Sequence, residues 1–307
     1  MRLKVALVMV LVALSTVGFS TNASNAKVAA AHAERVVTKS PTPAAAPSTQ
    51  LTTNVSSATQ QVLDHLAQRQ ANRGCGISLI PATPKRKVGE CTVLLVGDSM
   101  GNNLGSGLMY QLERTKGINF IKRSKGSTGL SNSWFYDWPA ILKPMLGRYK
   151  PNLVIVMLGA NDRQNMKVGG STLSFGTSAW KQAYRDQIDR ITAMITKAGS
   201  YTLWVGLPVM EPKSYGEGMA ELNKLYSTQA PLTPGVTFLD VWSYLADDRG
   251  QYRDRVRVNN TFTNIRGGDG IHFSMSGMRV LASYVLLHIR ETYSVNVRPR
   301  QELPITG

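Results

Sequence analysis

Three short blocks in this chain carry residues that can do chemistry together. Gly97-Asp98-Ser99 stands directly after an apolar run, Thr92-Val93-Leu94-Leu95-Val96. Gly159-Ala160-Asn161-Asp162 follows a second such run, Leu153-Val154-Ile155-Val156-Met157, and Asp269-Gly270-Ile271-His272 precedes a segment of helical periodicity. A serine hydroxyl becomes a useful nucleophile when an adjacent base takes its proton, and histidine is the usual base. An aspartate three residues before His272 can reach the imidazole, fix its tautomer and steady the imidazolium. The anion that develops as serine attacks a carbonyl needs donors. The Ser99 backbone N–H, at a helix start, and the Asn161 side-chain amide are suited to that. Each block alone has an ordinary reading as turn chemistry, a helix cap or a structural histidine. Their occurrence together, at the same kind of strand end, points to a serine nucleophile, Ser99, with His272 as its base and Asp269 orienting the imidazole.

Such geometry requires elements that bring three distant blocks to one edge. Thr92 to Val96 and Leu153 to Met157 are wholly apolar, as expected of parallel strands covered on both faces. Thr202-Leu203-Trp204-Val205 repeats the pattern, Thr237-Phe238-Leu239 is shorter, and Asn119-Phe120-Ile121 is a weaker fifth. Between them Trp180, Tyr184, Ile188, Ile191 and Ile195 recur at steps of three and four, the period of a helix with one buried face. A last helix is expected from about Ser274, carrying Val280, Tyr284, Leu287 and Ile289. This alternation predicts an α/β fold, a three-layer α/β/α sandwich with a mostly parallel, flavodoxin-like sheet. Such sheets place ligands at the carboxyl ends of their strands, where the three blocks sit.

With these blocks, residues 92–290 resemble the SGNH hydrolases, the GDSL-like esterase and lipase superfamily. The Gly126 to Gly129 stretch takes the place of the remaining signature block. The resemblance implies that Ser99 is the nucleophile, His272 its base and Asp269 the orienter. It also implies an oxyanion hole made of the Ser99 N–H, a glycine N–H and the Asn161 amide. Lys125-Gly126-Ser127-Thr128-Gly129-Leu130 offers two glycines; Gly129, preceded by a small hydroxylic residue, is preferred, with Gly126 in reserve. The implied activity is hydrolysis of an ester through an acyl-enzyme, without cofactor or metal. His32, His65 and His288 fall in separate segments and make no ligand set. The stretches Phe135 to Pro139 and Gly159 to Gln164 are similar to an exported bacterial branch of the superfamily, so the expected substrate is a short O-acyl group on an envelope glycan or another small ester. Glycan O-acyltransfer by the same triad and a non-catalytic envelope-binding role stand as alternatives.

Near these blocks, Trp134, Tyr136 and Trp138 offer aromatic faces suited either to sugar rings or to the core, and Arg163 offers a cation for an acidic substrate group or for a structural ion pair. The Gly-rich stretch Met166 to Thr177 is expected as a loop beside the site.

The rest of the chain concerns compartment and surface. Hydrophobic residues make up 43% and charged residues 18% of 307, which excludes a fully disordered or fibrous chain. Arg2, Lys4 and the apolar run Val5 to Phe19 read as a secretory signal ending near Ser24-Asn25-Ala26, with an uncleaved anchor as the alternative. Export to a periplasm or cell envelope suits the two cysteines, Cys75 and Cys91, which could close a short disulfide loop or remain buried thiols. The expected organisation is a signal peptide (1–26), an Ala/Pro/Ser/Thr tether with a short helix over Gln60 to Gln70 (27–86), a hydrolase domain (87–297) and a tail (298–307). Leu303-Pro304-Ile305-Thr306-Gly307 matches a sortase pentapeptide but reads as coincidence. The net charge of +16 invites a nucleic-acid partner. Removing residues 1–26 leaves +14, of which +5 lies in residues 27–86 and +9 beyond. Several of the latter are Arg249, Arg253, Arg255, Arg257 and Arg266. In an exported protein these favour an anionic envelope polymer or peripheral contact with lipid head groups over nucleic acid.

Overall fold

In the computed structural model of the protein, residues 56–79 (without 73 and 76) and 90–306 (without 294 and 296) are described. The signal peptide and most of the expected tether lie outside them. In chain order the elements are α1 (Ser57–Asn72), β1 (Cys91–Gly97), α2 (Ser99–Leu112), β2 (Ile118–Ser124), α3 (Trp138–Tyr149) and β3 (Leu153–Met157). A hairpin follows, β4 (Met166–Val168) and β5 (Ser171–Leu173), then α4 (Ser178–Lys197), β6 (Tyr201–Val205), α5 (Lys213–Gln229) and β7 (Val236–Leu239). The chain continues through α6 (Trp242–Leu245), a second hairpin, β8 (Arg255–Val258) and β9 (Thr261–Asn264), and α7 (Met275–Thr292).

Five strands form one parallel sheet in the order β2-β1-β3-β6-β7, the flavodoxin-like arrangement expected. Right-handed crossovers put α2 on one face with α7, and α3, α4 and α5 in succession on the other. All five strands fall where the apolar runs predict. The weakest of them, β2, is an edge strand whose residues are half-buried or exposed, which is why its apolar run is short. In α4 the predicted stripe Trp180, Tyr184, Ile188, Ile191 and Ile195 is wholly buried, and Thr177 caps the helix by accepting from the Trp180 N–H. Ser274 caps α7 at the predicted start, with Val280 and Ile289 buried and Tyr284 and Leu287 half-buried.

Three expectations are corrected, and one left open, the state of the two cysteines, is decided. The short helix is α1, and it is docked on the domain rather than part of a tether. Leu66 is buried against the sheet, and Gln70 donates to Gly199 O (2.7 Å) and accepts from the Asn152 amide (2.6 Å). Cys75 and Cys91 are bonded, linking the segment after α1 to the first residue of β1. The tail is part of the fold as well. Leu303 is buried, its N–H donates to Ser283 Oγ (2.9 Å), and Ile305 bridges Val258, so residues 303–306 of the sortase-like pentapeptide lie against the domain at β8. Met166 to Thr177 contains the β4–β5 hairpin instead of an irregular loop, turning at Gly169 and Gly170.

Candidate active site

Ser99 is the first residue of α2, and Asp98 is its N-cap. The Asp98 side chain is buried and works in two directions. Oδ1 accepts from the N–H groups of Met100 (2.8 Å) and Gly101 (3.4 Å), while Oδ2 accepts from those of Gly159 (2.9 Å) and Ala160 (2.8 Å). One carboxyl group therefore ties the turn after β1 to the turn after β3. Burial pushes it up to about 6, while the N–H donors pull the other way.

The third block is built as a closed loop. Arg266 and Phe273 bridge as antiparallel partners, Gly267 N–H donates to His272 O (2.7 Å), and Asp269 to His272 lie between. Phe273 N–H donates to Asn103 Oδ1 (2.9 Å), one turn beyond Ser99 on α2, which fixes the loop against the serine helix. The result is a continuous relay. His272 Nε2 lies 2.9 Å from Ser99 Oγ, and His272 Nδ1 lies 2.6 Å from Asp269 Oδ2. The other Asp269 oxygen accepts from the Ile271 and His272 N–H groups (3.0 and 2.9 Å). The hydrogen bond from His272, with these two backbone donors, holds the Asp269 carboxyl down at about 2, so it stays charged beside the imidazole.

The loop after β2 supplies the remaining face. Asn161 Nδ2 donates to Thr128 O (2.9 Å), placing the Asn161 amide against the Thr128–Gly129 peptide. Gly129 is buried there, and a Cβ on it would lie 2.0 Å from Asp162 Oδ1, whereas Gly126 faces open space. Among the described residues neither the Ser99 nor the Gly129 N–H donates to another group. The structure thus brings Ser99, His272 and Asp269 together, and it sets the Asn161 amide against the peptide of Gly129 rather than that of Gly126.

The four tentative substrate residues diverge. Trp134 is 72% exposed and meets Phe135 edge to face, Tyr136 is half-buried, and Trp138 is buried with its indole N–H on Thr128 Oγ1 (3.1 Å). Trp138 is therefore a strut beneath the loop, not a platform. The Arg163 guanidinium donates to Ser214 O (2.8 Å) and its stem packs along Gly218; the residue is exposed, and among the described residues it makes no ion pair. Arg266 leaves the predicted basic face altogether. It is 2% exposed, donates to Ile271 O (3.0 Å) and Val209 O, and stacks over Phe273, supporting the His272 loop from beneath. Burial lowers it to about 10. His65 is exposed on α1, His288 shares a hydrogen bond with Thr292 on α7, and His32 lies outside the described residues.

Asp98, Asn103, Thr128, Asp162 and Arg266 were not assigned to the site from the sequence. Only Asp98 had a readable signal, an acidic residue where a helix must begin after a strand.

A family model described as a protein of unknown function, DUF459, matches residues 92–288. No curated protein sequence matches the chain. Among solved structures, the periplasmic domain of a lipopolysaccharide acetyltransferase from Salmonella ser. Paratyphi A is similar at 15% identity and a TM-score of 0.46, covering 78% of this chain and 98% of that one. The psychrotrophic esterase EstA from Pseudoalteromonas sp. is similar at 16% identity and 0.43, covering 66% and 98%. TesA is similar at 18% identity and 0.43, covering 65% and 98%.

Proposed function

The chain belongs to the DUF459 family and has an SGNH-hydrolase-like fold, and from that premise we propose that it is an exported serine esterase acting on a short O-acyl group of an envelope glycan. The observation that carries this reading is the unbroken relay Ser99 Oγ, His272 Nε2, His272 Nδ1, Asp269 Oδ2, with steps of 2.9 and 2.6 Å.

Ser99 Oγ attacks the ester carbonyl as His272 Nε2 takes its proton, and the carbonyl oxygen becomes an oxyanion facing the Ser99 N–H, the Gly129 N–H and the Asn161 amide. Collapse expels the alcohol, which receives the proton from His272, and leaves an acyl group on Ser99. Water, deprotonated by the same imidazole, releases the acid and regenerates the serine. Asp269 stays charged throughout and holds the imidazole in the tautomer that presents Nε2 to Ser99. The exposed Trp134 and Phe135, a few residues beyond Gly129, supply aromatic faces for a sugar ring.

Wild type should hydrolyse acetyl model esters and acylated polysaccharide and label with a fluorophosphonate, and Ser99→Ala should do neither while keeping its circular dichroism. Undiminished turnover by Ser99→Ala would sink the assignment, and absence of labelling in wild type would identify a non-catalytic binding protein. Free acid from an acylated glycan supports hydrolysis; acyl groups moved to a second glycan would identify a transferase.

Export is supported by the Cys75–Cys91 bond; among the described residues no helix is long and apolar enough to cross a membrane. The anionic-polymer reading draws on cations that stay exposed: Arg249, Arg255 and Arg257, and separately Arg114, Lys116, Arg298 and Arg300, which line one open cavity of about 370 Å³. Binding to envelope material that is released by raised salt is the expected outcome; salt-insensitive binding would count against it.

A further inference from the structure

Asp162 follows Asn161, and its carboxylate is directed at Leu130, Ser131 and Tyr184. It is fully buried and gathers four donors: Leu130 N–H (2.8 Å) and Tyr184 O–H (2.7 Å) on Oδ2, Ser131 N–H (2.9 Å) and Ser131 O–H (2.6 Å) on Oδ1. Tyr184 is itself held by Tyr226, whose hydroxyl donates to Leu158 O (3.0 Å) at the end of β3. Three of the four donors belong to the two residues that follow Gly129.

A carboxylate accepts and cannot donate, so every group around it must point a hydrogen inward, which leaves the 129–131 backbone one orientation. The carboxylate also sits against the Gly129 Cα, where any Cβ would overlap it at 2.0 Å, so at this position only glycine fits. Leu130 and Ser131 have their N–H groups turned into the carboxylate, while the preceding Gly129 N–H makes no internal bond among the described residues.

We propose that Asp162 is a positioning residue that sets the oxyanion hole: its buried carboxylate seizes the Leu130 and Ser131 amides and thereby aims the Gly129 N–H at the reacting carbonyl oxygen. Asp98 performs the corresponding clasp between the Ser99 turn and the Gly159 turn. The three oxyanion donors thus lie on three loops joined pairwise by two buried carboxylates. This inference rests on the serine-hydrolase reading and adds a residue that touches neither substrate nor triad.

The test compares wild type, Asp162→Asn and Ser131→Ala in turnover of an acetyl ester, rate of fluorophosphonate labelling and amide hydrogen exchange. Asn is isosteric but turns an NH2 toward donors, so Asp162→Asn should lose about 10- to 100-fold in kcat, with KM within about twofold and labelling slowed in parallel. Leu130 and Ser131 amides should exchange faster while β1 and β3 amides keep their protection. Ser131→Ala, which removes one donor and no charge, is the variant to rely on should Asp162→Asn fail to fold, and it should lower kcat severalfold at unchanged KM. A folded Asp162→Asn or Ser131→Ala that turns over and labels at the wild-type rate overturns the positioning role alone. A wild type inert to both ester and fluorophosphonate overturns the hydrolase reading and this role with it.

Discussion

At the scale of single residues, the proposed mechanism separates side chains that take part in the reaction from side chains that hold. Asp269 belongs to the reacting group through its orientation of His272. Asp269→Asn keeps the shape but removes the charge that fixes the tautomer, so kcat should fall by about 10⁴ with little change in thermal stability, as steady-state kinetics and a melting curve would show. Asp98 belongs to the holding group, and its carboxyl carries a pH signature. Burial raises it to about 6 in the folded protein from an ordinary value of 3.8, so the folded chain binds the extra proton between those values. Its contribution to stability is then fully present below pH 3.8 and lost as the pH rises through about 6. Asp98→Asn cannot titrate, so the gap between wild-type and variant melting temperatures should shift against the wild type from pH 4 to pH 6. A gap that stays constant over that interval would contradict the assignment. These residues also mark how far the sequence could be read. The meeting of Ser99, His272, Asp269 and Asn161 was legible because the proposed chemistry calls for particular residue types at strand ends. Asp162 and Arg266 were not, because each reaches backbone groups far away in sequence, Leu130 and Ser131 for the one and Val209 for the other, and nothing in a linear motif shows which backbone groups a buried charge will meet.

At the scale of elements, apolar runs and helical stripes were enough to place the five parallel strands and the three helices, α1, α4 and α7, for which bounds or a buried face were expected. The two hairpins were hidden for a physical reason. β4 and β5 have three residues each and β8 and β9 four, and most of these residues are exposed, so little apolar alternation was available to read. Arg255 and Arg257 alternate with buried Val256 and Val258, a strand pattern easily taken for a run of charge. The loop after β2 yields a sharper prediction, since it offers two glycines of opposite character. Gly126→Ala should leave activity and melting temperature near wild type, because its Cβ meets open space. Gly129→Ala should cost about 1–3 kcal/mol through overlap with Asp162 and lose most activity. Parallel urea melts and ester assays of the two variants would decide it, and the reverse pattern would move the oxyanion donor to Gly126.

At the scale of the whole molecule, the domain is larger than its signature blocks suggest. A chain beginning at residue 87, where the hydrolase domain was expected to start, would lack α1, the buried Leu66, the Gln70–Asn152 pair and the disulfide. The disulfide closes a loop with a sequence separation of 16, worth about 3 kcal/mol, and Leu66 adds about 2 kcal/mol. Such a chain should therefore melt on the order of 10–20 °C lower than one beginning at residue 53, which differential scanning calorimetry would measure; equal melting temperatures would show that α1 contributes nothing. This extension was not legible because α1 carries only three large apolar residues, Val62, Leu63 and Leu66, and its polar anchor Gln70 meets Asn152 and Gly199, which are far away in sequence. The disulfide has one more effect, which concerns covalent continuity rather than stability. A protease that cuts the chain anywhere between Cys75 and Cys91 produces two polypeptides that remain joined through sulfur. The residues upstream of the cut, α1 among them, stay connected to the strand that leads into Ser99. Separating the two pieces after such a cut requires reduction as well, so in an oxidising compartment a nicked molecule stays covalently whole.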